Sequence, residues 1–360
     1  MKRLIIGDIH GCYSELQDLI KKADLTSQDE IIALGDIVDR GPESPEVLSF
    51  FKNNSNAISL KGNHERKHVR SLMGLIKPAL SQIITRDQIG DKNYKEACDF
   101  MNSLPHFIDL PEALLIHGFW EPGVSLSDQK EVVLLGVLTG EKYLDKNYSK
   151  PWYDLYDGDK PIIVGHRDYL KTGKPLIINN KIFCINTGCA KGRSLTGLIL
   201  PDFKLISVPS SKNYWSVVKS SYYKLRLIST PNDSLSWDQA EELISLLKAK
   251  HDISKAEADR IKQLHLLRSD GETAINKFYS LITQENERIL THLNEHDKFI
   301  DLSPADQFKK YDVLIRNKSF KGFFHNARKG KLELSGLRNN FKGPKAAIEF
   351  ISRLSLNDKH

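Results

Sequence analysis

The sequence lacks Cys-x-x-Cys motifs and long hydrophobic runs. Its 360 residues include four cysteines, and no two of them have Cys-x-x-Cys spacing. No apolar run approaches the roughly 20 residues of a transmembrane helix, and the run after Met1 is too short for a signal peptide. We therefore expect a cytoplasmic protein with reduced thiols and no membrane segment.

A Gly-rich nucleotide-binding loop ending in Lys-Ser or Lys-Thr is also missing, which argues against a kinase within the chain. The sequence has 40% hydrophobic residues, enough for a sizeable core, and is long enough for two domains. The charge is uneven, because residues 1–210 carry net −1 and residues 211–360 carry net +7. The basic excess therefore lies in the C-terminal part.

Three short motifs stand out in the first 65 residues, and each follows an apolar run. They are Gly-Asp-Ile-His-Gly at 7–11, Gly-Asp-Ile-Val-Asp-Arg-Gly at 35–41 and Gly-Asn-His-Glu at 62–65. Short apolar runs bounded by turn residues are typical of buried parallel strands. Ligands bind beyond the carboxyl ends of such strands, so the motifs predict one shared site at that edge.

The residue types in the first two motifs indicate a metal site. Asp8 and His10 are two residues apart, so they point to the same side of an extended strand. Carboxylates combined with imidazole suit Mn²⁺, Fe or Zn²⁺. Asp36, on the next strand, is placed to bridge two metals. Two ions about 3.5–4 Å apart can lower the pKa of a shared water and clamp a phosphate.

Three neighbouring side chains suit the chemistry of a phosphate ester. Arg40 offers a bidentate fork for phosphate oxygens. His64 follows a proposed ligand and is the natural general acid for a leaving-group oxygen. Asp39 could orient the His64 imidazole.

Two later apolar runs end in histidine. Residues 114–116 lead into His117, and residues 162–164 lead through Gly165 into His166. A single histidine after a strand is more often a core or loop residue than a ligand. Five strand ends in order, all carrying ligand-type residues, favour a ligand set.

These motifs in this order resemble those of the calcineurin-like metallophosphoesterases, in the branch of the Ser/Thr phosphoprotein phosphatases, over residues 1–212. The resemblance implies an α/β fold, a two-sheet sandwich flanked by helices, and two divalent metal ions, with Mn²⁺ preferred over Fe or Zn²⁺. One metal would be bound by Asp8, His10 and Asp36, and the other by Asp36, Asn63, His117 and His166. His64 and Asp39 would form the acid pair, and Arg40 and Asn63 would contact the substrate phosphate.

Strings within residues 150–209 resemble three bacterial subfamilies: small protein phosphatases, dinucleoside tetraphosphate hydrolases and the phosphatase module of polynucleotide kinase–phosphatases. They share a fold, so motifs alone leave the substrate open. A phosphorylated Ser/Thr protein comes first, because the third motif ends in Glu65. The alternatives are RNA with a 2′- or 3′-phosphate end and symmetric cleavage of a dinucleoside tetraphosphate. A catalytically silent phosphate-sensing module is disfavoured, because every proposed ligand is present.

The sequence departs from the family pattern at several positions. The protein-phosphatase branch has a second arginine between its last two ligands, but residues 118–165 contain none. Arg167 follows the last ligand, where Thr is usual, and we hypothesise that it supplies the second positive contact to the substrate phosphate. The alternative is a surface arginine that pairs with Asp168 or with solvent. Asn186 replaces the usual Asp.

The domain organisation follows from the change in pattern along the chain. We predict a metallophosphoesterase domain at 1–210, a linker at 211–232 and a basic all-α domain of unassigned role at 233–360. In that last domain, capping boxes predict helices after Ser236 and Ser254, and a separate longer helix is predicted at about 272–294.

The basic residues concentrate between positions 309 and 345. This segment has eleven Lys and Arg against two acidic residues, with phenylalanines interleaved. Basic side chains neutralise phosphates and aromatic rings stack on bases, so the segment could contact nucleic acid. The alternative is a solvated basic face over ordinary core phenylalanines.

Overall fold

The computed structural model describes residues 1–297 and 299–357. The chain forms two compact units, Met1–Tyr223 and Lys224–His360. The point of division falls inside the stretch 211–232 that the sequence predicts as a linker. That stretch is largely helical, because it contains the helix Tyr214–Ser229. Tyr214 and Leu227 are buried in this helix, so apolar burial orders a segment whose Tyr- and Lys-rich composition predicts a connection.

The first unit contains ten strands among the described residues. They are β1 (Arg3–Ile6), β2 (Glu30–Ala33), β3 (Ala57–Ser59), β4 (Phe107–Asp109), β5 (Leu114–Ile116), β6 (Ile162–Val164), β7 (Leu176–Ile178), β8 (Ile182–Cys184), β9 (Ser194–Leu200) and β10 (Lys204–Pro209). One sheet has the order β10-β9-β1-β2-β3 and the other β4-β5-β6-β8-β7. Strands β1, β2 and β3 are parallel in the first sheet, and β5, β6 and β8 are parallel in the second.

The two sheets pack against each other through alternate residues of their strands. Ile5 and Ile32 of the first sheet share a buried cluster with Leu115 and Ile163 of the second. Leu4, one residue away from Ile5, belongs instead to the cluster shared with helix residues, as the two-residue period of a strand requires. The predicted two-sheet sandwich with helices outside is therefore confirmed.

Eight helices accompany the sheets. They are α1 (Tyr13–Ala23), α2 (Ser44–Asn53), α3 (Asn63–Leu72), α4 (Leu80–Ile89), α5 (Asp91–Ser103), α6 (Glu131–Leu134), α7 (Leu138–Asn147) and α8 (Tyr214–Ser229). Helices α3, α4 and α5 follow one another between β3 and β4. The four cysteines are free and buried.

The second unit is helical throughout its described part. Its helices are α9 (Trp237–Lys248), α10 (Lys255–Asp297), α11 (Pro304–Leu314), α12 (Lys321–Arg328), α13 (Leu334–Arg338) and α14 (Pro344–Asn357). The predicted separation of two helices near residue 272 is wrong, because α10 continues through Gly271. A Cβ at this glycine would lie 2.7 Å from the Trp237 ring and 2.9 Å from Pro344, so it permits close helix packing without ending the helix.

The phenylalanines of the basic segment pack inside the second unit. The Phe278 ring lies 5.3 Å from that of Phe320 and 5.4 Å from that of Phe323, both edge to face. Phe341 contacts Phe350, with the ring centroids 5.2 Å apart. This packing favours the alternative in which these rings are core residues and not a surface for stacking bases.

None of the described helices combines the length and the apolar composition that crossing a membrane demands.

Candidate metal centre

The predicted ligands meet at one edge of the two sheets. Asp8 and His10 follow β1, Asp36 follows β2, and Asn63 begins α3 directly after β3. In the second sheet His117 follows β5 and His166 follows β6. Because the strands that deliver these residues are parallel within each sheet, their carboxyl ends lie at the same edge.

The turns after these strands are sharp. His10, Asp36 and His166 have positive φ angles of 52°, 51° and 61°, and Asp39 and Arg40 have 74° and 68°. Such conformations cost of order 1–3 kcal/mol for a non-glycine residue and concentrate at functional sites. The fold therefore holds these five side chains where an unstrained turn would not place them.

The donor atoms form two clusters that share Asp36. In the first, His10 Nε2 lies 3.7 Å from Asp8 Oδ2 and 3.8 Å from Asp36 Oδ2. In the second, His117 Nε2 lies 3.4 Å from Asp36 Oδ1. His166 completes a group with Asp36 and His117 in which the ligand atoms lie within 4.8 Å of one another. Ligands about 2.0–2.2 Å from one ion must lie about 3 Å or more apart, so these separations are compatible with bound ions. His64, which is predicted as the acid and not as a ligand, also forms a group with His10 and Asp36 in which the ligand atoms lie within 4.8 Å of one another.

The donor set itself fits a cation. Asn63 Oδ1 lies 3.2 Å from His117 Nε2 and 3.1 Å from His166 Nδ1, so an amide oxygen faces other acceptors. A divalent ion would satisfy all of these lone pairs at once. Without a cation, the amide can rotate so that its NH₂ donates to the same atoms and its oxygen accepts from Lys67 Nζ at 3.3 Å.

Hydrogen bonds behind the ligands fix their orientation. Nδ1 of His10 lies 2.8 Å from the Val38 carbonyl oxygen, and Nδ1 of His117 lies 2.7 Å from that of Leu34. Each ring can therefore donate through Nδ1 and present the lone pair of Nε2 to the site. Asn186 donates to Asp8 Oδ2 at 2.6 Å and to the His166 carbonyl oxygen at 2.8 Å.

Burial and mutual charge interactions shift the pKa values of the proposed ligands. Burial and the neighbouring Asp36 carboxylate raise the pKa of Asp8 to about 7. Burial opposes ionisation of Asp36, but His117 and His64 hold its pKa well below its usual value. Burial and His117 lower the pKa of His166 to about 3. A divalent cation would relieve the repulsion between the two carboxylates.

The proposed acid pair is formed. His64 Nδ1 lies 2.5 Å from Asp39 Oδ2, and its Nε2 lies 3.0 Å from Arg40 Nη2. The other Arg40 nitrogen, Nη1, lies 2.6 Å from His10 Nε2. The Arg40 guanidinium therefore lies between the rings of His10 and His64, and its role as a phosphate contact stays a prediction.

The side chains that support Asp39 were not predicted from the sequence. His68 Nε2 lies 2.9 Å from Asp39 Oδ1, and His68 Nδ1 lies 2.9 Å from the Tyr94 hydroxyl. Ser81 donates to Asp39 Oδ2 at 3.2 Å, and Gln82 donates to the same oxygen. Burial opposes ionisation of Asp39, but the histidines hold its pKa well below its usual value. The spacing of His64 and His68 could have indicated this contact, since residues four apart lie on the same face of a helix and can reach the same carboxylate.

Arg167 does not contact the proposed ligands. Its guanidinium pairs with the Glu141 carboxylate and lies 5.8 Å from the centre of the Phe119 ring. It nevertheless lines a cleft of about 500 Å³ together with His10, Arg40 and His166. Its role as a second phosphate contact stays a prediction. The expected alternative partner, Asp168, pairs with Arg193 instead, at 2.5 Å.

The comparisons with known proteins agree with this site. Residues 1–176 match the family model described as calcineurin-like phosphoesterase. The bis(5′-nucleosyl)-tetraphosphatase PrpE [asymmetrical] of Bacillus cereus (strain Q1) is 31% identical over 238 residues, which cover 59% of this chain and 95% of that protein. The same-named protein of Bacillus subtilis (strain 168) is 29% identical, with coverage of 58% and 95%.

A match to one solved structure is also found. The metallophosphoesterase from Sphaerobacter thermophilus is 20% identical with a TM-score of 0.38, and the match covers 59% of this chain and 89% of that one. This likeness carries no statement on function.

The chain therefore belongs to the calcineurin-like phosphoesterases. It is a metal-dependent hydrolase of phosphoesters with a dinuclear site for divalent ions. The predictions of family and enzyme class are confirmed.

Proposed function

We propose that the protein hydrolyses a phosphoanhydride bond of dinucleoside tetraphosphates. The observation that carries this proposal is the charge of the cleft beside the metal clusters. Its lining has five basic side chains, Arg40, Arg167, Lys171, Lys191 and Arg193, and one acidic side chain, Asp168. A phosphomonoester brings about two negative charges and a tetraphosphate bridge about four, so the excess suits the longer polyanion. The names of the sequence relatives support the same substrate class.

Each residue then has a definite part in the reaction. Two divalent ions, for which we propose Mn²⁺, would supply a nucleophile from water at neutral pH and neutralise phosphate charge. Arg40 and Asn63 hold the oxygens of the phosphate under attack. His64, oriented by Asp39, donates a proton to the oxygen that leaves with the other product. Water is consumed and one P–O bond breaks, so an asymmetric cut yields a nucleoside triphosphate and a nucleoside monophosphate.

A phosphorylated Ser/Thr protein remains the second candidate, because a phosphomonoester would fit the same clusters. The sequence argument for it rested on Glu65. In the structure the Glu65 carboxylate accepts the backbone N–H groups of Asp36 at 2.9 Å, Ile37 at 2.9 Å and Gly62 at 2.8 Å. Glu65 thus holds the backbone of the site, and this role is independent of the substrate. RNA ends are the third candidate, because the phenylalanines of the segment 309–345 pack in the core of the second unit and do not offer a surface for stacking bases.

A substrate panel with the purified full chain and Mn²⁺ tests the proposal. It comprises bis(5′-adenosyl) tetraphosphate, a phosphothreonine peptide and RNA with a 3′-phosphate. We expect kcat/KM for the tetraphosphate to exceed that for the peptide at least about tenfold, with ATP and AMP as products. ADP as the only nucleotide product would indicate symmetric cleavage. A preference for the peptide or the RNA would contradict the proposal.

A further inference from the structure

Three basic residues in the cleft take no part in the metal clusters or the acid pair. Lys171, Lys191 and Arg193 line the same cleft as His10, Arg40 and His166. Metal ions and Arg40 already suffice for one phosphate group. These three residues therefore call for a separate explanation.

The two lysines are uncommitted. Within residues 1–297 and 299–357, no hydrogen bond or ion pair engages the ammonium group of Lys171 or Lys191. Burial lowers the pKa of Lys191, and repulsion by the positive charges of Arg40 and Arg193 lowers it further, while Asp168 and Asp8 oppose this change. An anion placed among the three cations would remove this repulsion.

Asp168 fixes the geometry of the cluster. It accepts a hydrogen bond from Arg193 Nη1 at 2.5 Å through Oδ2, and from the backbone N–H of Lys171 at 2.8 Å through Oδ1. The Asp168 side chain is only 5% exposed. It thereby ties the loop after β6 to the loop before β9.

The backbone leaves room for this arrangement at Gly188. Its φ is +76°, and a Cβ there would lie 2.6 Å from Asp168 Oδ2 and 2.9 Å from Arg193 Nη1. Lys171 itself has a φ of 55°. The Asp168–Arg193 pair thus depends on a glycine, and Lys171 adopts a conformation that L-residues seldom adopt, while the side chains of Lys171 and Lys191 are exposed to the cleft and to solvent.

We propose that Lys171, Lys191 and Arg193 form a subsite for the phosphates next to the one under attack, so that the cleft selects linear polyphosphate chains over single phosphate groups. This inference rests on the proposed function, which it deepens by assigning the residues.

The test compares two inhibitors of p-nitrophenyl phosphate hydrolysis, inorganic phosphate and inorganic tripolyphosphate, with Mn²⁺ in excess over both. In the wild type we expect tripolyphosphate to inhibit at concentrations at least about tenfold lower than phosphate does, since each charge-assisted contact contributes to affinity. We call the inhibiting concentration of phosphate divided by that of tripolyphosphate the inhibition ratio. In Lys191→Gln and in Lys171→Gln this ratio should fall at least about fivefold. Lys204→Gln, an exposed lysine on β10, is the matched control and should retain the ratio.

Two results would overturn the subsite: equal inhibition by both anions in the wild type, or an unchanged ratio in both lysine variants. If hydrolysis of p-nitrophenyl phosphate is too slow to measure inhibition, calorimetric titrations of the Mn²⁺-loaded chain with tripolyphosphate and with phosphate compare the two affinities directly. The outcomes separate the two proposals. Tetraphosphate hydrolysis with an unchanged ratio refutes the subsite alone. A ratio that depends on the lysines, without tetraphosphate hydrolysis, refutes the proposed substrate alone.

Discussion

Asp39 accepts hydrogen bonds from four side chains, those of His64, His68, Ser81 and Gln82. It is fully buried, and its two oxygens accept from His64 and His68 separately. A carboxylate held by one histidine alone could rotate, whereas one held on both oxygens keeps a single orientation. His68 is therefore expected to act on the reaction through the position of His64.

Replacement of His68 tests this coupling. We expect His68→Gln to lower kcat for phenyl phosphate about tenfold more than kcat for p-nitrophenyl phosphate, because the weaker leaving group needs the proton from His64 more. Steady-state kinetics on both esters measure the difference. Equal losses on the two esters would mean that His68 only supports the fold.

At the residue scale, the sequence was informative wherever a side chain follows a strand directly. Asp8, Asp36 and His117 could be grouped because parallel strand ends share an edge. Gln82 and Tyr94 could not, since they lie on α4 and α5. The packing of those helices over Asp39 depends on long-range contacts that no local pattern encodes.

At the scale of elements, the start of α3 is packed against the loop after β2. Gly62 has an ordinary φ of −98°, so its importance is steric. An added Cβ would overlap the Asp36 carboxylate and lie 2.5 Å from Asp36 N. The close approach of these two segments is what places Asp36 between the clusters.

Gly62→Ala is expected to displace Asp36 and to weaken Mn²⁺ binding at least about tenfold, since misplaced ligands lose most of their affinity. Calorimetric titration with Mn²⁺ measures the loss, and circular dichroism verifies the fold. Gly322→Ala on α12 is the control, because nothing lies within 4 Å of the Cβ it would add. Unchanged Mn²⁺ affinity in Gly62→Ala would refute this account of the loop.

The start of β2 is held by Asp29. Its carboxylate accepts the backbone N–H groups of Lys2 at 2.5 Å and Thr26 at 2.8 Å. These bonds lower the pKa of Asp29 from 3.8 to about 2. Because the folded pKa lies below the unfolded one, the stabilisation is present above about pH 4 and is lost as the pH falls towards 2.

Asp29→Asn should therefore lower the free energy of unfolding near pH 7, and the difference from wild type should shrink as the pH approaches about 3. Urea denaturation at both pH values measures it. Asp18→Asn, at an exposed position on α1, should show no such trend. A difference that grows on acidification would contradict the assigned direction of the pKa shift.

Strands could be predicted from short apolar runs, whereas helices α8 and α10 were not predicted correctly. The runs that became β1, β2, β5 and β6 are bounded by turn residues. The segment that forms α8 was predicted as part of a linker. It is helical in the structure, and its residues Tyr214 and Leu227 are buried. Two separate helices were predicted where α10 is continuous, and Gly271, at the predicted separation, lies against the Trp237 ring inside the helix.

At the scale of the whole molecule, the positive charge of residues 211–360 remains without an assigned role. The exposed lysines Lys329, Lys331 and Lys342 belong to it. Since Phe320, Phe323, Phe324 and Phe341 pack in the core of the second unit, we expect a contact of these lysines with nucleic acid to be electrostatic.

We expect binding of a short single-stranded RNA by the full chain to weaken at least about tenfold between about 50 and 200 mM salt. Gel-shift titrations measure it. The triple replacement of Lys329, Lys331 and Lys342 by Gln should flatten the dependence on salt. Binding that ignores salt would contradict this prediction, and no binding at low salt would remove the nucleic-acid role.

The central claim is that Asp36 joins two clusters into one dinuclear centre. Equilibrium dialysis of the purified chain against Mn²⁺, combined with metal analysis, tests it most directly. We predict about two Mn²⁺ ions per wild-type chain and loss of at least one of them in Asp36→Asn. Fewer than one ion per wild-type chain, or two ions retained in Asp36→Asn, would contradict the account.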